Sequence, residues 1–487
     1  MNRRWIVIFD NYSDIEKRAI NLLYAEISDK LNYVLPIKNS NGISNEEFKS
    51  YNIIIVGKAS DNRLIEEIEN KNIIQTPKKC EGYSIYVGNS IYNAENQMIV
   101  ISGFDSAGVL YGCMDFCNKY LCDVAFKNKD IWKDGTYDNM FDNKLNNWCI
   151  GSNPVIKRRA IWTWGHVIYD YRDFFENMAR LRLNEIVIWN DVVPINAKDV
   201  VEYAHSLNIK VIWGFAWGWD TKLNNILKNY DQNTLKEIKQ KVLETYKNQY
   251  LGTGADGIYF QSFTELNEEI VNGKCVARLV TELVNDIAGS LFNLYPNLHI
   301  QFGLHATSVK NKLEYIKNVD KRIFIVWEDC GSFPFEYYAD KTDDFENTLE
   351  FTKNTLALRG SDEKWGAVLK GMLKLDWTKF EHVTEPFILG QRTNSFIKGR
   401  QINKNRIWKL QQASWLKNAE CLKQVIEAVA ETDRDCVVQA LVEDAMLENQ
   451  IMLPVALYAD MLWDCNRDVY EIVEQVSKYR CVQYANI

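Results

Sequence analysis

The feature that most constrains the fold is a regular alternation of short apolar runs and longer amphipathic stretches that begins at Lys157. Short apolar runs are typical of buried strands, and apolar residues at helical spacing between them predict helices. The strands are predicted at Arg159–Trp164, Glu185–Trp189, Lys210–Phe215, Gly257–Phe260, His299–Gly303, Arg322–Trp327 and Val368–Leu375, with helices between them. Strands that alternate with helices form parallel sheets, and a short eighth strand at Pro386–Leu389 would close a (β/α)₈ barrel. The alternative, an open doubly wound sheet, is disfavoured because no phosphate-binding loop follows the first strand.

Different patterns flank this alternation. Upstream, Trp5–Phe9 and Ile53–Val56 have the composition of strands, and Tyr83–Val87 with Met98–Ser102 alternate like a hairpin that leads to a helix capped by Asp105. Downstream of about Asn403 only helical spacing is visible. We therefore predict an N-terminal α/β domain (1–150), a central (β/α)₈ TIM barrel (151–400) and a C-terminal α-helical domain (401–487). The helical domain is expected either to cover the barrel mouth or to form a homodimer.

The charge and cysteine content excludes several classes of function. Over 487 residues the net charge is -8, which supplies no basic field for nucleic acid or for an anionic membrane. No uncharged run is long enough to span a bilayer. The 11 cysteines are scattered, and Cys113, Cys117 and Cys122 lack the spacing of a metal site. We expect a cytoplasmic protein with reduced thiols, no metal and no cofactor.

Polar and aromatic side chains are concentrated where the predicted strands end, which is where the functional residues of (β/α)₈ barrels lie. Arg159, on the first strand, is a further candidate because its planar guanidinium suits sugar hydroxyls or a carboxylate. The candidates for substrate binding are Arg159, Trp162, Trp164, His166, Asn190, Asp191, Trp217, Trp219, Gln261, His305, Trp327 and Trp377. Core packing explains Trp217 and Trp219 equally well.

Carboxylates from several strand ends accompany these aromatic residues. Cleavage of a glycosidic bond needs a protonated carboxyl that donates to the leaving oxygen and an ionised one that activates water or attacks the sugar. Glu265 is the predicted acid because its aromatic neighbours favour the protonated form; the alternative is a helix cap or a pair with Lys274. Adjacent strand residues point to opposite sides, so at most one of Glu328 and Asp329 should face the pocket. The predicted catalytic set is Glu265, Glu328, Asp329 and Asp376.

Three segments carry a family resemblance. EGYSIYV (81–87) and MIVISGFDSAGVLYG (98–112) resemble the accessory domain that precedes the barrel in the family 67 α-glucuronidases and the family 20 β-hexosaminidases. The run NEIVIWNDVVPINAKDVVEYAHSLNIKVIWGFAW (184–217) is similar to the α-glucuronidase pattern in which a strand ends in a paired Asn. A C-terminal helical domain also belongs to that architecture.

The resemblance implies an inverting hydrolase with Glu265, in YFQSFTE, as the acid and Asn190 at the sugar. The later strands, IVWEDCGSFPF and KLDWTKFEH, depart from the family pattern, so the base does not transfer. Thr264 stands where the hexosaminidases have an Asp. The expected function is a glycoside hydrolase that removes terminal sugars, with α-linked uronic acid as one candidate, from short oligosaccharides. The alternatives are a β-N-acetylhexosaminidase-like retaining enzyme and a carbohydrate-binding barrel without catalysis.

Overall fold

The structure is a computed structural model of the chain. It describes residues 4–31, 33–121, 141, 145–164, 167–190, 192–218, 232–265, 268–305, 309–328, 345–372, 385–479 and 481–485, apart from the side chains of Gln232, Glu265 and Met372.

The N-terminal region is a six-stranded mixed sheet packed with helices. Its strands are β1 (Trp5–Phe9), β2 (Ile37–Asn39), β3 (Asn52–Gly57), β4 (Tyr83–Asn89), β5 (Gln97–Gly103) and β6 (Trp148–Ser152), in the spatial order β2-β1-β3-β5-β4-β6. The helices are α1 (Asp14–Ser28), α2 (Asn45–Ser50), α3 (Arg63–Asn70) and α4 (Ser106–Phe116). The predicted hairpin is confirmed, because β4 pairs antiparallel with β5. The predicted cap is also confirmed, since the Asp105 carboxylate accepts the N–H of Gly108.

The central region is a closed parallel barrel of eight strands. In chain order they are β7 (Arg158–Trp164), β8 (Glu185–Trp189), β9 (Lys210–Gly214), β10 (Gly257–Gln261), β13 (His299–His305), β14 (Phe324–Glu328), β15 (Trp365–Met372) and β16 (Cys436–Val442). The short hairpin of β11 (Ile270–Val271) and β12 (Lys274–Cys275) follows β10. The predicted barrel and its first seven strands are confirmed, apart from residues 373–375 of the predicted seventh strand, which lie outside the described residues.

The predicted eighth strand is wrong. Pro386–Leu389 is irregular rather than a strand, and the barrel is closed by β16, which pairs with β15 on one side and with β7 on the other. The continuous apolar run of β16 fits a fully buried parallel strand. The apolar residues on both sides of it have helical spacing, so the sequence predicted a helix there. The barrel therefore extends beyond residue 400, and the prediction that no strand follows Asn403 is also wrong.

Helices surround the barrel and continue past it. They are α5 (Tyr171–Arg180), α6 (Ala197–Ser206), α7 (Gln232–Thr245), α8 (Val276–Leu294), α9 (Leu313–Ile316), α10 (Phe345–Ala357), α11 (Asn394–Lys417), α12 (Ala419–Ala430), α13 (Leu453–Trp463) and α14 (Val469–Val476). A small two-stranded sheet joins β17 (Ile451–Met452) to β18 (Val482–Gln483). Within the described residues, none of the helices combines the length and apolar character needed to cross a bilayer.

The barrel strands separate an inner from an outer apolar layer, because successive side chains on a strand point to opposite faces. The inner layer contains Trp162, Trp164, Trp189 and Tyr259, and it is separate from the large core between strands and helices. Any polar side chain on the inner face must therefore find its partners inside the barrel.

Candidate functional site

A buried carboxylate lies at the centre of the polar groups near the carboxyl ends of the barrel strands. Glu328 is the last residue of β14, and its side chain is 0% exposed. One carboxylate oxygen accepts the hydroxyl of Tyr259 at 2.5 Å and the amide of Gln261 at 2.6 Å. The other accepts the same amide at 2.7 Å, Nε2 of His305 at 2.8 Å and Nζ of Lys370 at 2.6 Å. Four neighbouring side chains therefore converge on one carboxylate.

The charges around Glu328 keep it ionised. Burial by itself would raise the pKa of this carboxyl, but the Lys370 ammonium and the His305 imidazole outweigh that effect and hold the pKa well below its usual range. The carboxylate is therefore negative at neutral pH, and the unfavourable desolvation is offset by its ion pair and hydrogen bonds.

An aromatic wall lies beside this cluster. The rings of Trp164 and Trp189 are stacked with centroids 4.8 Å apart, and the rings of Trp162 and Tyr259 are 5.8 Å apart. The Lys370 ammonium lies 5.8 Å from the centre of the Trp162 ring. The indole N–H of Trp162 is buried and has no hydrogen-bond acceptor among the described residues. These rings pack against one another and are 0–6% exposed, so they form an apolar, desolvated side of the cluster that includes one indole donor, that of Trp162, with no acceptor among the described residues.

Two glycines make room for these groups. A Cβ at Gly303 would lie 2.3 Å from a carboxylate oxygen of Glu328 and 2.4 Å from the hydroxyl of Tyr259. A Cβ at Gly214 would lie 2.6 Å from the ring of Trp189. All three distances are well inside van der Waals contact, so the absence of a side chain at these positions sets the shape of the barrel interior.

The predicted acid lies on the turn that follows β10. A 3₁₀ turn spans Phe263–Glu265. Within it, the hydroxyl of Thr264 accepts a hydrogen bond from the backbone N–H of His305 at 3.2 Å. The turn is therefore fixed to the strand that carries His305. The backbone of Glu265 belongs to this turn, whereas its side chain lies outside the described part of the chain.

The structure brings together Trp162, Trp164, Gln261, His305 and Glu328 of the predicted site. It places three other candidates, Trp217, Trp327 and Arg159, away from this cluster. Trp217 stacks on Phe260 with centroids 3.6 Å apart, and Trp327 contacts Phe351 of α10, so both indoles belong to the outer layer.

Arg159 also lies away from the strand ends that carry the cluster. Its guanidinium donates to Glu81 of the N-terminal region at 2.6 Å and to the backbone carbonyls of Arg182 and Ile156 at 2.8 Å each. The side chain is 0% exposed. Substrate binding by Arg159 is therefore not supported, because its donors already connect the barrel to the N-terminal region.

The remaining candidates are only partly described. Asn190 is buried, and its carbonyl accepts the hydroxyl of Tyr250 at 3.4 Å. His166, Asp191, Trp219, Asp329, Asp376 and Trp377 lie outside the described residues.

Sequence reasoning missed Tyr259, Lys370 and Gly303. Lys370 gave a usable signal, since a single lysine within the apolar strand WGAVLKGM needs a buried negative partner. Tyr259 gave none, because a tyrosine in a buried strand is ordinary core composition.

Together these features define a (β/α)₈ barrel with an N-terminal mixed α/β region and a polar, tryptophan-walled cluster at the carboxyl ends of its strands. Comparison of the sequence with models of protein families finds no match, and comparison with curated proteins finds none either.

Several solved structures share the fold. A Streptomyces plicatus β-hexosaminidase variant in complex with GlcNAc matches with a TM-score of 0.53 and 10% identity, over 98% of this chain and 91% of that chain. A GH20 exo-β-N-acetylglucosaminidase from Vibrio harveyi matches with a TM-score of 0.50 and 11% identity, over 98% and 73%. A GH138 enzyme that targets the pectin rhamnogalacturonan II matches with a TM-score of 0.51 and 12% identity, over 96% of this chain. The chain spans about half of that enzyme, covering 52% of its length. The fold is thus one that glycoside hydrolases use.

Proposed function

We propose that this chain is a glycoside hydrolase whose active site lies at the carboxyl ends of the barrel strands. The observation that carries the proposal is the convergence of an ionised Glu328, Lys370 and His305 beside a tryptophan wall and next to the turn that bears Glu265. Cleavage of a glycosidic bond needs charged groups in a desolvated setting, and aromatic faces bind the apolar side of sugar rings.

In the proposed reaction Glu265 is the general acid. Its carboxyl proton passes to the glycosidic oxygen as the bond to the anomeric carbon breaks. As that bond breaks, an ionised carboxylate either takes a proton from the water that attacks the anomeric carbon or itself attacks that carbon to form a covalent intermediate, which water then hydrolyses. The products are a free sugar and the shortened oligosaccharide, so the net reaction consumes one water.

For the ionised partner we favour Asp329 or Asp376 over Glu328. The two oxygens of Glu328 already accept the five contacts described above, and a carboxylate offers about four lone-pair positions. Glu328 is therefore assigned a positioning role, in which its charge holds Lys370 and His305 in place.

The preferred substrate class is a terminal sugar of a short oligosaccharide. An α-linked uronic acid is proposed on the resemblance to the α-glucuronidases, and the Lys370 ammonium would suit its carboxylate. The second candidate is a β-N-acetylhexosaminide, which the similarity in fold to the hexosaminidases over 98% of the chain favours. That route requires a carboxylate beside the acetamido group, and Asp191 or Asp329 would have to supply it because position 264 is Thr.

The test is a panel of α- and β-linked nitrophenyl glycosides that includes uronides and N-acetylhexosaminides. It is run with the wild type, Glu265→Gln and the control Glu268→Gln, which makes the same change at an exposed position close by. We expect hydrolysis of at least one substrate and a loss of about 10²- to 10⁴-fold in Glu265→Gln, as for loss of a general acid. Unchanged rates in Glu265→Gln would remove Glu265 from the mechanism. Sugar binding without hydrolysis of any substrate would favour the carbohydrate-binding barrel.

A further inference from the structure

The opposite end of the barrel contains a cavity of about 430 Å³ that is lined by four basic side chains and one acidic side chain. It lies where the strands begin, and basic residues from several strand starts line it. Arg158 begins β7, Lys210 begins β9 and Lys364 immediately precedes β15. Arg322, just before β14, lies over the ring of Phe292 at 4.0 Å.

Most charges on this face are already paired. Arg158 binds Glu185 at 3.1 Å and Asp435 at 2.8 Å. Arg322 binds Asp320 at 2.6 Å.

The remaining acid of the cavity is also occupied. One carboxylate oxygen of Asp256 contacts Nε2 of His205 at 2.9 Å and accepts the backbone N–H of Val211 at 2.8 Å. In contrast, neither Lys210 nor Lys364 forms an ion pair with any residue that the structure describes. These two lysines line the cavity without a direct ion-pair partner, and the nearby negative charge that acts on both is the carboxylate of Asp435.

The electrostatic effects of these cations converge. Partial burial lowers the pKa of Lys364, and repulsion from Arg158 and Lys210 lowers it further. Attraction by Asp435 raises this pKa but does not outweigh the other effects. Burial also places the pKa of His299 well below its usual value, and Arg158, Lys364 and Lys210 lower it further. The same three cations thus act on one region, and a bound anion would relieve their mutual repulsion.

We propose that this cavity binds a small oxyanion, a phosphate or the phosphate of a phosphomonoester, between Lys210 and Lys364. Ammonium groups form charge-assisted hydrogen bonds with phosphate oxygens, and Arg158 adds positive potential although its own donors are engaged. This site is separate from the candidate active site at the other end of the barrel, and it does not depend on the proposed glycosidase activity.

The cavity also has an apolar part that would contact an organic group attached to the phosphate. Pro296 and Leu298 line it, and the ring of Phe292 lies behind the Arg322 guanidinium. Its volume falls within the usual range for small-molecule pockets. We therefore expect a sugar phosphate to bind more tightly than inorganic phosphate.

The test is isothermal titration calorimetry of the full chain with inorganic phosphate, glucose 6-phosphate and glucose at matched ionic strength. The variants are Lys210→Gln/Lys364→Gln, the charge-preserving Lys210→Arg/Lys364→Arg, and the control Lys198→Gln. Lys198 is an exposed lysine of α6 that does not line the cavity. Thermal melting of each variant shows that it is folded.

We expect both phosphates to bind and glucose not to bind. The Gln pair should weaken binding by tenfold or more, because loss of one charge-assisted hydrogen bond costs roughly a factor of ten. The Arg pair and Lys198→Gln should retain binding. Stronger binding of glucose 6-phosphate identifies a phosphomonoester as the preferred ligand, and equal binding identifies the oxyanion alone. No binding of either phosphate, or binding that survives in the Gln pair, would overturn the proposal.

Discussion

The carboxylate of Glu328 lies 2.6 Å from the ammonium of Lys370, and both side chains are buried, with exposed fractions of 0% and 7%. The two residues are on adjacent strands, β14 and β15, and both point into the barrel. A buried ion pair of this kind persists only when each charge has a partner, so the two side chains depend on each other. His305 is the third member, at 2.8 Å from the same carboxylate.

The first prediction concerns this pair. Glu328→Gln should lower the free energy of unfolding by about 3–5 kcal/mol, because it removes the negative charge that the buried Lys370 ammonium contacts at 2.6 Å. Lys370→Met should be similarly destabilising, whereas the double variant should recover much of the loss. A double-mutant cycle in urea measures the coupling. Additive losses would show that the two side chains do not interact.

The second prediction compares two glycines, Gly303 and Gly289, that differ in their surroundings. Gly303→Ala should reduce glycosidase activity strongly, because the added methyl group would displace Glu328 and Tyr259. Gly289→Ala is the matched control: it lies in α8 with nothing within 4 Å of the new Cβ. It should leave activity unchanged and stabilise the helix by up to about 1 kcal/mol. Full activity in Gly303→Ala would contradict the packing described at the site.

The third prediction separates a structural from a substrate-binding role for Arg159. Arg159→Leu should cost about 3–5 kcal/mol of stability, since it leaves two buried carbonyls without their donor and removes one of the donors to Glu81. The KM of the folded protein should remain unchanged. Urea unfolding and steady-state kinetics on the same preparation check both parts. A raised KM with normal stability would restore Arg159 as a substrate ligand.

The fourth prediction concerns pH. Burial raises the pKa of the Glu448 carboxyl to about 8, and the charges of Asp444 and Asp170 act in the same direction. The backbone N–H groups that donate to this carboxyl act in the opposite direction but are outweighed. Its ordinary pKa is 4.5, so between about pH 4.5 and 8 the folded chain holds a proton that the unfolded chain has released. The free energy of unfolding should therefore fall as pH rises through this window, by up to a few kcal/mol.

Glu448→Gln provides the comparison for this effect. It should remove that part of the pH dependence, because the glutamine amide does not titrate. Urea unfolding of both proteins at pH 5.5 and 8 measures the difference. If both lose stability equally over this range, Glu448 does not titrate there.

Seven barrel strands and the N-terminal hairpin could be predicted from sequence because apolar periodicity is a local property. The eighth strand could not, since CVVQALV follows helices and its partners, β15 and β7, are distant along the chain. Trp217 and Trp327 looked like site residues for the same local reason. Whether an indole faces the interior depends on the register of its strand in the closed barrel.

The sequence by itself determined the alternation of strands and helices, the concentration of tryptophans and carboxylates at strand ends, and the negative charge that disfavours nucleic acid. Only the tertiary structure decided that Glu328 is held by Tyr259, Gln261, His305 and Lys370, and that Arg159 instead joins two regions of the chain. The physical reason is that strand propensity is encoded in a few consecutive residues. A buried charge is stable only beside partners that the closure of the barrel brings from distant parts of the chain.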